Sequence, residues 1–176
     1  MRKSAIAAVA LVAALVLGGC TAQTGSAAVV DGEPISAAKL DRTTRELNEL
    51  FNVDARGVLT MLIVSPTYLA EAAANGVAKS RDEARTYLTE VIAADPVSAV
   101  GVDVDSFSDA TLDLVRFDMA LRELSQLETS QEIGERVQGQ IAALDVDVNP
   151  RFGEFSAEAT AINPVAPEWL VQPSTA

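Results

Sequence analysis

The stretch Ala28-Val-Val-Asp-Gly-Glu-Pro-Ile-Ser36, AVVDGEPIS, decides how the fold closes. It has the pattern of a short strand, a tight turn at Asp31-Gly32 and the start of a helix. Two valines are too little strand to be stable alone, because even an isolated hairpin is marginal in water. The alternating sequence Asp145-Val-Asp-Val-Asn149 offers a partner strand. We therefore expect segments 28–31 and 145–149 to pair antiparallel, which would close the two ends of the domain on each other.

Amphipathic helices are predicted between these two strands, from apolar residues that recur at helical spacing. Helix starts are expected at Ser36, Asp54, the capping box Ser80-Arg-Asp-Glu83, Ser108 and the break near Thr129-Ser130. The first helix should run to about Asn52, with Leu40, Leu47, Leu50 and Phe51 on its apolar inner face. Pro66 should kink the second helix or make it restart, because proline lacks the backbone donor and clashes with the preceding turn. The fold class is therefore mainly α, with about five helices and one short strand pairing.

The first 20 residues have the organisation of a bacterial export signal. Two basic residues precede an apolar run over Ala5–Leu17, which ends in Leu17-Gly-Gly-Cys20. The run is too short to make a good membrane-spanning helix. Its end resembles the bacterial lipobox, in which the cysteine thiol receives a diacylglyceryl thioether before cleavage. The alternative is an ordinary secretory signal with a chance cysteine.

The lipobox resemblance implies a domain plan and a location. Residues 1–19 would be a lipoprotein signal peptide, and Cys20 would become the first residue and carry diacylglyceryl and acyl chains such as palmitate. Segment 20–27 is small and polar, as expected of a flexible tether. Residues 28–176 then suit a single domain, with an irregular tail over 150–176 whose aromatic side chains should lie on the helices. The expected location is the extracytoplasmic face of the cell membrane, anchored through lipid.

The composition excludes several kinds of site. Cys20 is the only cysteine and the chain has no histidine, so internal disulfides, thiolate zinc sites and histidine-dependent nucleophiles are excluded. We therefore expect no enzyme, and no cofactor other than the covalent lipid. Without Arg2 and Lys3, 11 of the 13 basic residues remain against 25 acidic ones, a net charge of −14. Such a surface repels nucleic acid and anionic headgroups.

The carboxylates offer only weak patterns for a site. Asp103, Asp105 and Asp109 begin like a calcium loop, but the pattern lacks glycine at its sixth position and has Leu114 at its twelfth. A solvated loop that runs into a helix cap is the alternative, and we favour it. Glutamates of the predicted helices, Glu46 among them, are expected on outward faces as solubility charges.

Three segments resemble the SurA N-terminal chaperone domain of periplasmic and cell-surface foldases. They are VVDGEPISAAKLDRTTRELNEL from Val29, LIVSPTYLAEAAANGVAKSRDEARTYL from Leu62, and VDVNPRFGEFS from Val146. They follow the family order of signature and first helix, second helix with capping box, and closing strand. Together they cover about two thirds of the chain beyond Cys20. The resemblance implies a SurA-N-like helical domain that holds extended segments of exported proteins.

The resemblance stops short of isomerase activity, because the chain has no histidine and no room for a parvulin domain. What it implies is a membrane-anchored holdase without isomerase activity, whose partners are unfolded or extended polypeptides. The alternative is an envelope adaptor that docks one folded partner. Apolar helix positions usually form the core, but the run Leu59–Val64 is apolar all round its helix and fits either a core or a contact face. The candidate client-binding residues are Leu59, Leu62, Ile63, Tyr68, Tyr87 and Phe107.

Overall fold

The computed structural model describes residues 25–94 and 100–165. The elements are β1 (Ser26–Val30), β2 (Glu33–Ser36), α1 (Ala37–Asn48), α2 (Ala55–Ala74), α3 (Arg81–Ala94), a 3-10 turn (Val104–Ser106), α4 (Asp109–Ser125), α5 (Ser130–Ala142), β3 (Val146–Val148), β4 (Glu154–Ser156) and β5 (Ala161–Asn163). The mainly α prediction is confirmed. The predicted signal peptide, Cys20 and Trp169 of the tail lie outside the described residues, whereas the tail residues Phe152 and Phe155 pack against the helical core as expected.

The predicted pairing between the two ends of the domain is present. Strands β2, β1 and β3 form an antiparallel sheet in that order, with Ala28 opposite Val148 and Val30 opposite Val146. Strand β1 begins two residues earlier than expected, and Ala27 is fully buried in it. The tether predicted over 20–27 therefore does not reach residue 27, because burial of Ala27 extends the strand.

The turn inside the opening stretch is stabilised from the far end of the chain. Asp31 and Gly32 both have positive φ, 49° and 84°, as a tight hairpin turn between strands requires. The Asp31 backbone N–H donates to the Asp145 carbonyl at 2.8 Å. In return, the Asp145 N–H donates to Asp31 Oδ1 at 2.9 Å. The hairpin and β3 therefore hold each other in register.

The helix starts follow from local capping. Ser36 Oγ accepts from the Lys39 N–H at 3.1 Å, and Asp54 Oδ1 accepts from the Gly57 N–H at 2.7 Å. At α3 the capping box is reciprocal: the Ser80 N–H donates to the Glu83 carboxylate at 2.7 Å, and the Glu83 N–H donates to Ser80 Oγ. These caps satisfy backbone donors that no helical bond can reach. The predicted starts are confirmed.

Helix α2 forms the centre of the domain. It contacts α1, α4 and α5 and runs unbroken from Ala55 to Ala74, with Pro66 inside it. Of the two outcomes predicted at Pro66, a kink or a restart, the restart does not occur, because packing on several sides offsets one lost backbone bond. Within the described ranges, α2 is the one helix long and apolar enough to cross a membrane, which is weak evidence for a span. Here its apolar surface packs against the other helices.

The buried apolar side chains form two clusters. The main core surrounds α2 and contains Val58, Leu59 and Ile63, all at most 2% exposed. A smaller cluster, the α3 core, joins α3 to the 3-10 turn and α4. Its buried members are Ala84, Leu88, Phe107, Leu112 and Val115. The domain therefore has a second packing unit beside its centre.

A hairpin of β4 and β5 lies in the segment predicted to be irregular. Gly153 precedes β4 with φ 120°, and a Cβ there would lie 2.0 Å from the Asn163 carbonyl oxygen, so no other residue fits. The Ile162 N–H donates to Thr60 Oγ1 at 3.3 Å, and Arg56 Nε donates to the Phe152 carbonyl at 2.9 Å. Contacts with α2 thus order strands that are too short to be stable alone.

Candidate functional site

Most of the predicted client-binding residues lie inside the domain. Leu59, Leu62, Ile63 and Phe107 are between 0% and 7% exposed, so they belong to the two cores and offer no contact surface here. An all-round apolar helix face is buried in this fold because neighbours cover it on several sides. Tyr68 and Tyr87 are partly exposed. Of all six, only Tyr87 lines the cavity described next.

An apolar groove of about 270 Å³ opens where the main core meets the α3 core. The end of α1, the loop after it, α2, α3 and α4 all contribute residues to its lining. The groove is lined by Leu47, Phe51, Val53, Met61, Tyr87, Leu114, Val115, Asp118 and Arg122. Seven of these nine side chains are apolar or aromatic. The groove can therefore hold an apolar group from outside the domain.

Because α1 ends early, Phe51 lies beyond the helix and is exposed at the groove. The helix ends at Asn48, four residues before the predicted end, and Asn48 Oδ1 accepts from the Val53 N–H at 3.0 Å. The Phe51 N–H turns back to the Leu47 carbonyl at 2.8 Å. Phe51, predicted on the inner face of α1, is instead 38% exposed at the groove. An exposed phenylalanine beside an apolar cavity is typical of a contact surface.

The polar rim of the groove consists of one ion pair on α4. The Arg122 guanidinium donates to Asp118 Oδ2 at 2.9 Å and lies 5.9 Å above the Tyr87 ring. The Asp118 carboxylate, and to a lesser extent Tyr87, raise the pKa of Arg122. Both side chains of the pair are half exposed or more. The pair therefore borders the groove on the solvent side and leaves its interior apolar.

Several lining residues were not among the predicted candidates. Met61 lies in the all-apolar run of α2, and its burial could not be distinguished from that of its neighbours by periodicity. Asp118 and Arg122 carry a signal in the sequence, since they are four residues apart on one helix face. That spacing is common on solvated helices and does not by itself indicate a site.

A buried carboxylate, Glu46, joins α1 to the start of α4. It is 8% exposed and accepts bonds from Arg42 Nε at 2.6 Å, the Ser108 N–H at 2.9 Å, Ser108 Oγ at 2.6 Å and Thr111 Oγ1. Burial alone would raise its pKa, but these hydrogen bonds lower the pKa to about 2. The prediction that Glu46 faces solvent is wrong, because Ser108 and Thr111 of a distant helix compensate its burial. The Glu46 carboxylate therefore accepts its hydrogen bonds from residues of this domain and serves a structural role.

A second buried carboxylate, Glu71, joins α2 to α5. It accepts from Arg136 Nε at 3.0 Å, from Gln140 Nε2 at 3.0 Å and from Asn75 Nδ2. The hydrogen bond from Arg136 is the main cause of its lowered pKa. Neither Glu71 nor Glu46 lines the apolar groove. Both act as structural joints between helices.

The calcium-like aspartates are engaged in local structure. Asp103 Oδ1 accepts from the Asp105 N–H at 3.1 Å and caps the 3-10 turn, and Asp109 pairs with Arg81 at 2.7 Å. The described ranges contain no group of three or more candidate metal-ligating side chains. The favoured alternative, a loop that runs into a helix cap, describes this segment.

A second cavity, of about 570 Å³, lies between β3 and β4. Its lining includes Val146, Pro150, Phe155 and the half-exposed Val165. Strand backbone and acidic side chains contribute to its walls, so it is more polar than the apolar groove. Val165 is the last described residue before the chain's end segment.

Comparisons with protein-family models, with curated proteins and with solved structures gave no match for this chain. The resemblance to the SurA N-terminal domain accordingly depends on the three quoted segments alone. The function must therefore be inferred from the chemistry of the groove.

Proposed function

We propose that this chain is a lipid-anchored, extracytoplasmic holdase-type chaperone, without isomerase activity or a cofactor besides its lipid. The apolar groove between α1, α2, α3 and α4 is the observation that carries the proposal. In this mechanism the groove shelters an apolar side chain of an extended, exported polypeptide. Binding is reversible and involves neither a nucleotide nor covalent chemistry.

The size of the groove defines how it would bind. Small-molecule sites usually measure about 300–1,000 Å³, so a groove of about 270 Å³ is small and holds one or two large side chains. Full burial of one leucine or phenylalanine contributes about 1.5–3 kcal/mol. A single contact of this strength is weak and exchanges rapidly, as a holdase requires.

The surface and the anchor fit the same function. The net charge of −14 beyond Cys20 keeps the protein and its complexes soluble and away from anionic headgroups. A lipid on Cys20 would place the groove near the membrane where exported chains emerge unfolded. The three segments that resemble the SurA N-terminal domain support the same assignment.

Suppression of client aggregation tests the holdase proposal. A reduced secreted protein is refolded by dilution, with and without an equimolar amount of the full chain, and light scattering is recorded. We expect the protein to lower the scattering and Phe51→Ser to lose most of this effect. The matched control is Val165→Ser, since Val165 is also an exposed large apolar residue but lies outside the groove. Unchanged scattering with the native protein would overturn the proposal.

The narrowness of the groove favours a second candidate, an envelope adaptor that docks one folded partner. A site for one side chain serves a single anchor of a specific interface as well as a passing client. Capture from an envelope extract with the native chain and with Phe51→Ser distinguishes the two. Many unfolded proteins that depend on Phe51 indicate a holdase, whereas one stoichiometric folded protein indicates an adaptor.

The proposed anchor has its own test. Cells that express the chain are labelled with radioactive palmitate and separated into membrane and soluble fractions. We expect label and membrane association for the native chain, and neither for Cys20→Ala. Equal membrane association of both proteins would contradict the lipid anchor and leave the groove proposal to its separate test.

A further inference from the structure

We infer that the apolar groove selects extended segments in which one large apolar side chain is flanked by lysine or arginine, and that it disfavours acidic segments. This inference depends on the proposed function and specifies its client class. It combines an apolar groove with a net negative charge on α3 and α4, which contribute to its lining, and with a rim carboxylate, Asp118.

The groove accepts the apolar part of such a segment. Met61, Leu114 and Val115 line it together with the aromatic side chains of Phe51 and Tyr87. Its volume of about 270 Å³ leaves room for one or two large side chains, so the flanking residues of an extended segment must lie outside, along the rim. The charges of those flanking residues therefore meet the surface of α3 and α4.

That surface has an excess of negative charge. Helices α3 and α4 carry seven acidic and four basic residues. All four arginines already pair with aspartates of these two helices: Arg81 with Asp109 and Asp113, Arg85 with Asp82, Arg116 with Asp113, and Arg122 with Asp118. Lys79, just before α3, pairs with Glu123 at 2.9 Å, so the two helices together with Lys79 keep an excess of two negative charges. The surface of α3 and α4 therefore attracts a basic segment and repels an acidic one.

The rim ion pair supplies a direct contact for a basic client. Asp118 and Arg122 have side chains 49% and 66% exposed, and such an exposed pair is weak. A lysine or arginine next to the bound apolar residue can take the place of Arg122 at the Asp118 carboxylate. Arg122 would retain its contact with the Tyr87 ring.

Peptide binding to the full-length lipoprotein in neutral detergent micelles tests this inference. The probes are fluorescent peptides with a central leucine and flanks of lysine, serine or glutamate, plus a lysine-flanked peptide with central alanine. Anisotropy gives Kd at low and at high salt. At low salt we expect the lysine-flanked peptide to bind about tenfold tighter than the glutamate-flanked one, and high salt to reduce this ratio severalfold.

Three variants identify where the peptides bind. Phe51→Ser should weaken every leucine peptide, whereas Val165→Ser should weaken none. Asp118→Asn should lower the lysine-to-glutamate ratio about threefold and leave the serine-flanked peptide nearly unchanged. Matching unfolding midpoints for variants and native chain would establish that the fold is intact.

The outcomes separate the two proposals. Equal Kd for lysine and glutamate flanks, with a full effect of Phe51→Ser, would overturn the charge selectivity and leave the holdase proposal standing. If the lysine-flanked peptides bind equally well with central leucine or alanine, and equally well to the native chain and Phe51→Ser, the binding is general charge attraction and this inference is overturned. If no leucine peptide responds to Phe51→Ser, the groove is not the binding site and the proposed function itself fails.

Discussion

Glu46 and Glu71 are both buried glutamates that join two helices, yet their partners differ. Glu46 is 8% exposed and Glu71 6%. Glu46 accepts from Ser108 and from Thr111, which is fully buried. Glu71 is held mainly by Arg136, whose side chain is 49% exposed. Both glutamates are therefore buried to a similar extent. They differ in that Arg136 can reach water, whereas Thr111 cannot.

This difference determines what each joint contributes to stability. When a buried acceptor is removed, its donors must find water or remain unsatisfied, at about 1–3 kcal/mol for each buried group. Arg136 can turn outward and be hydrated after the loss of Glu71. Thr111 cannot, because its side chain is enclosed between α1 and α4. The α1–α4 joint should therefore be the more sensitive of the two.

The largest effect is expected for Glu46→Ala, which removes the carboxylate that joins α1 to α4. It should lower the free energy of unfolding by about 3–5 kcal/mol, because it creates a cavity and leaves the buried Thr111 hydroxyl without its charged acceptor. Urea unfolding followed by circular dichroism measures this loss. The control Glu49→Ala, at an exposed position one turn on, should stay within about 0.5 kcal/mol. Equal losses for both variants would contradict the role of Glu46.

Acid should remove the contribution of the ionised Glu46 carboxylate to the stability of the fold, without any mutation. The pKa of Glu46 falls from 4.5 to about 2 in the folded protein. A lowered folded-state pKa stabilises the fold above the unfolded pKa, so this contribution is complete above pH 4.5 and is lost as the pH falls toward 2. The shift corresponds to about 3 kcal/mol.

The pH dependence is isolated by comparison with Glu46→Gln, which cannot titrate. Other carboxylates also destabilise the fold in acid, so the measured quantity is the difference in unfolding free energy between the native chain and this variant. We expect that difference to be constant near neutral pH and to shrink steadily below pH 4.5. A difference that stays the same down to pH 2 would refute the assigned pKa.

The smallest effect is expected for Glu71→Ala, which should cost about 1 kcal/mol because Arg136 becomes hydrated. A double-mutant cycle with Arg136→Ala measures the pair directly. Its coupling energy should be about 1 kcal/mol or less, as is typical for a partner with access to water. A loss as large as that of Glu46→Ala would mean that partner exposure does not explain the difference between the joints.

Local signals in the sequence predicted much of the scaffold. The caps at Ser36, Asp54 and Ser80 depend on neighbours within three residues, so they could be identified without tertiary information. The pairing of β1 with β3 followed from complementary valine patterns. The β4–β5 hairpin was missed, because three-residue strands carry almost no periodic signal and Gly153 acquires its role only when Asn163 lies against it.

The candidate site was harder to predict. Residue type marked Leu59, Ile63 and Phe107 as apolar, but the sequence could not show that neighbouring elements bury them. Periodicity also placed Phe51 on the inner face of α1, whereas the helix ends first and Phe51 lines the groove. Such errors arise because the exposure of a side chain depends on where other elements lie. The periodicity of one helix carries no information about that.

The sequence by itself determined the caps, the helix-rich class and the pairing of AVVDGEPIS with DVDVN, because these depend on local bonds and on alternation of side chains. It also excluded histidine and disulfide chemistry through composition. Only the tertiary structure decided that Pro66 remains inside one helix, that Glu46 is buried, and that a groove opens between two cores. Each of these depends on atoms from segments far apart in the chain, and their packing energy outweighs local preference.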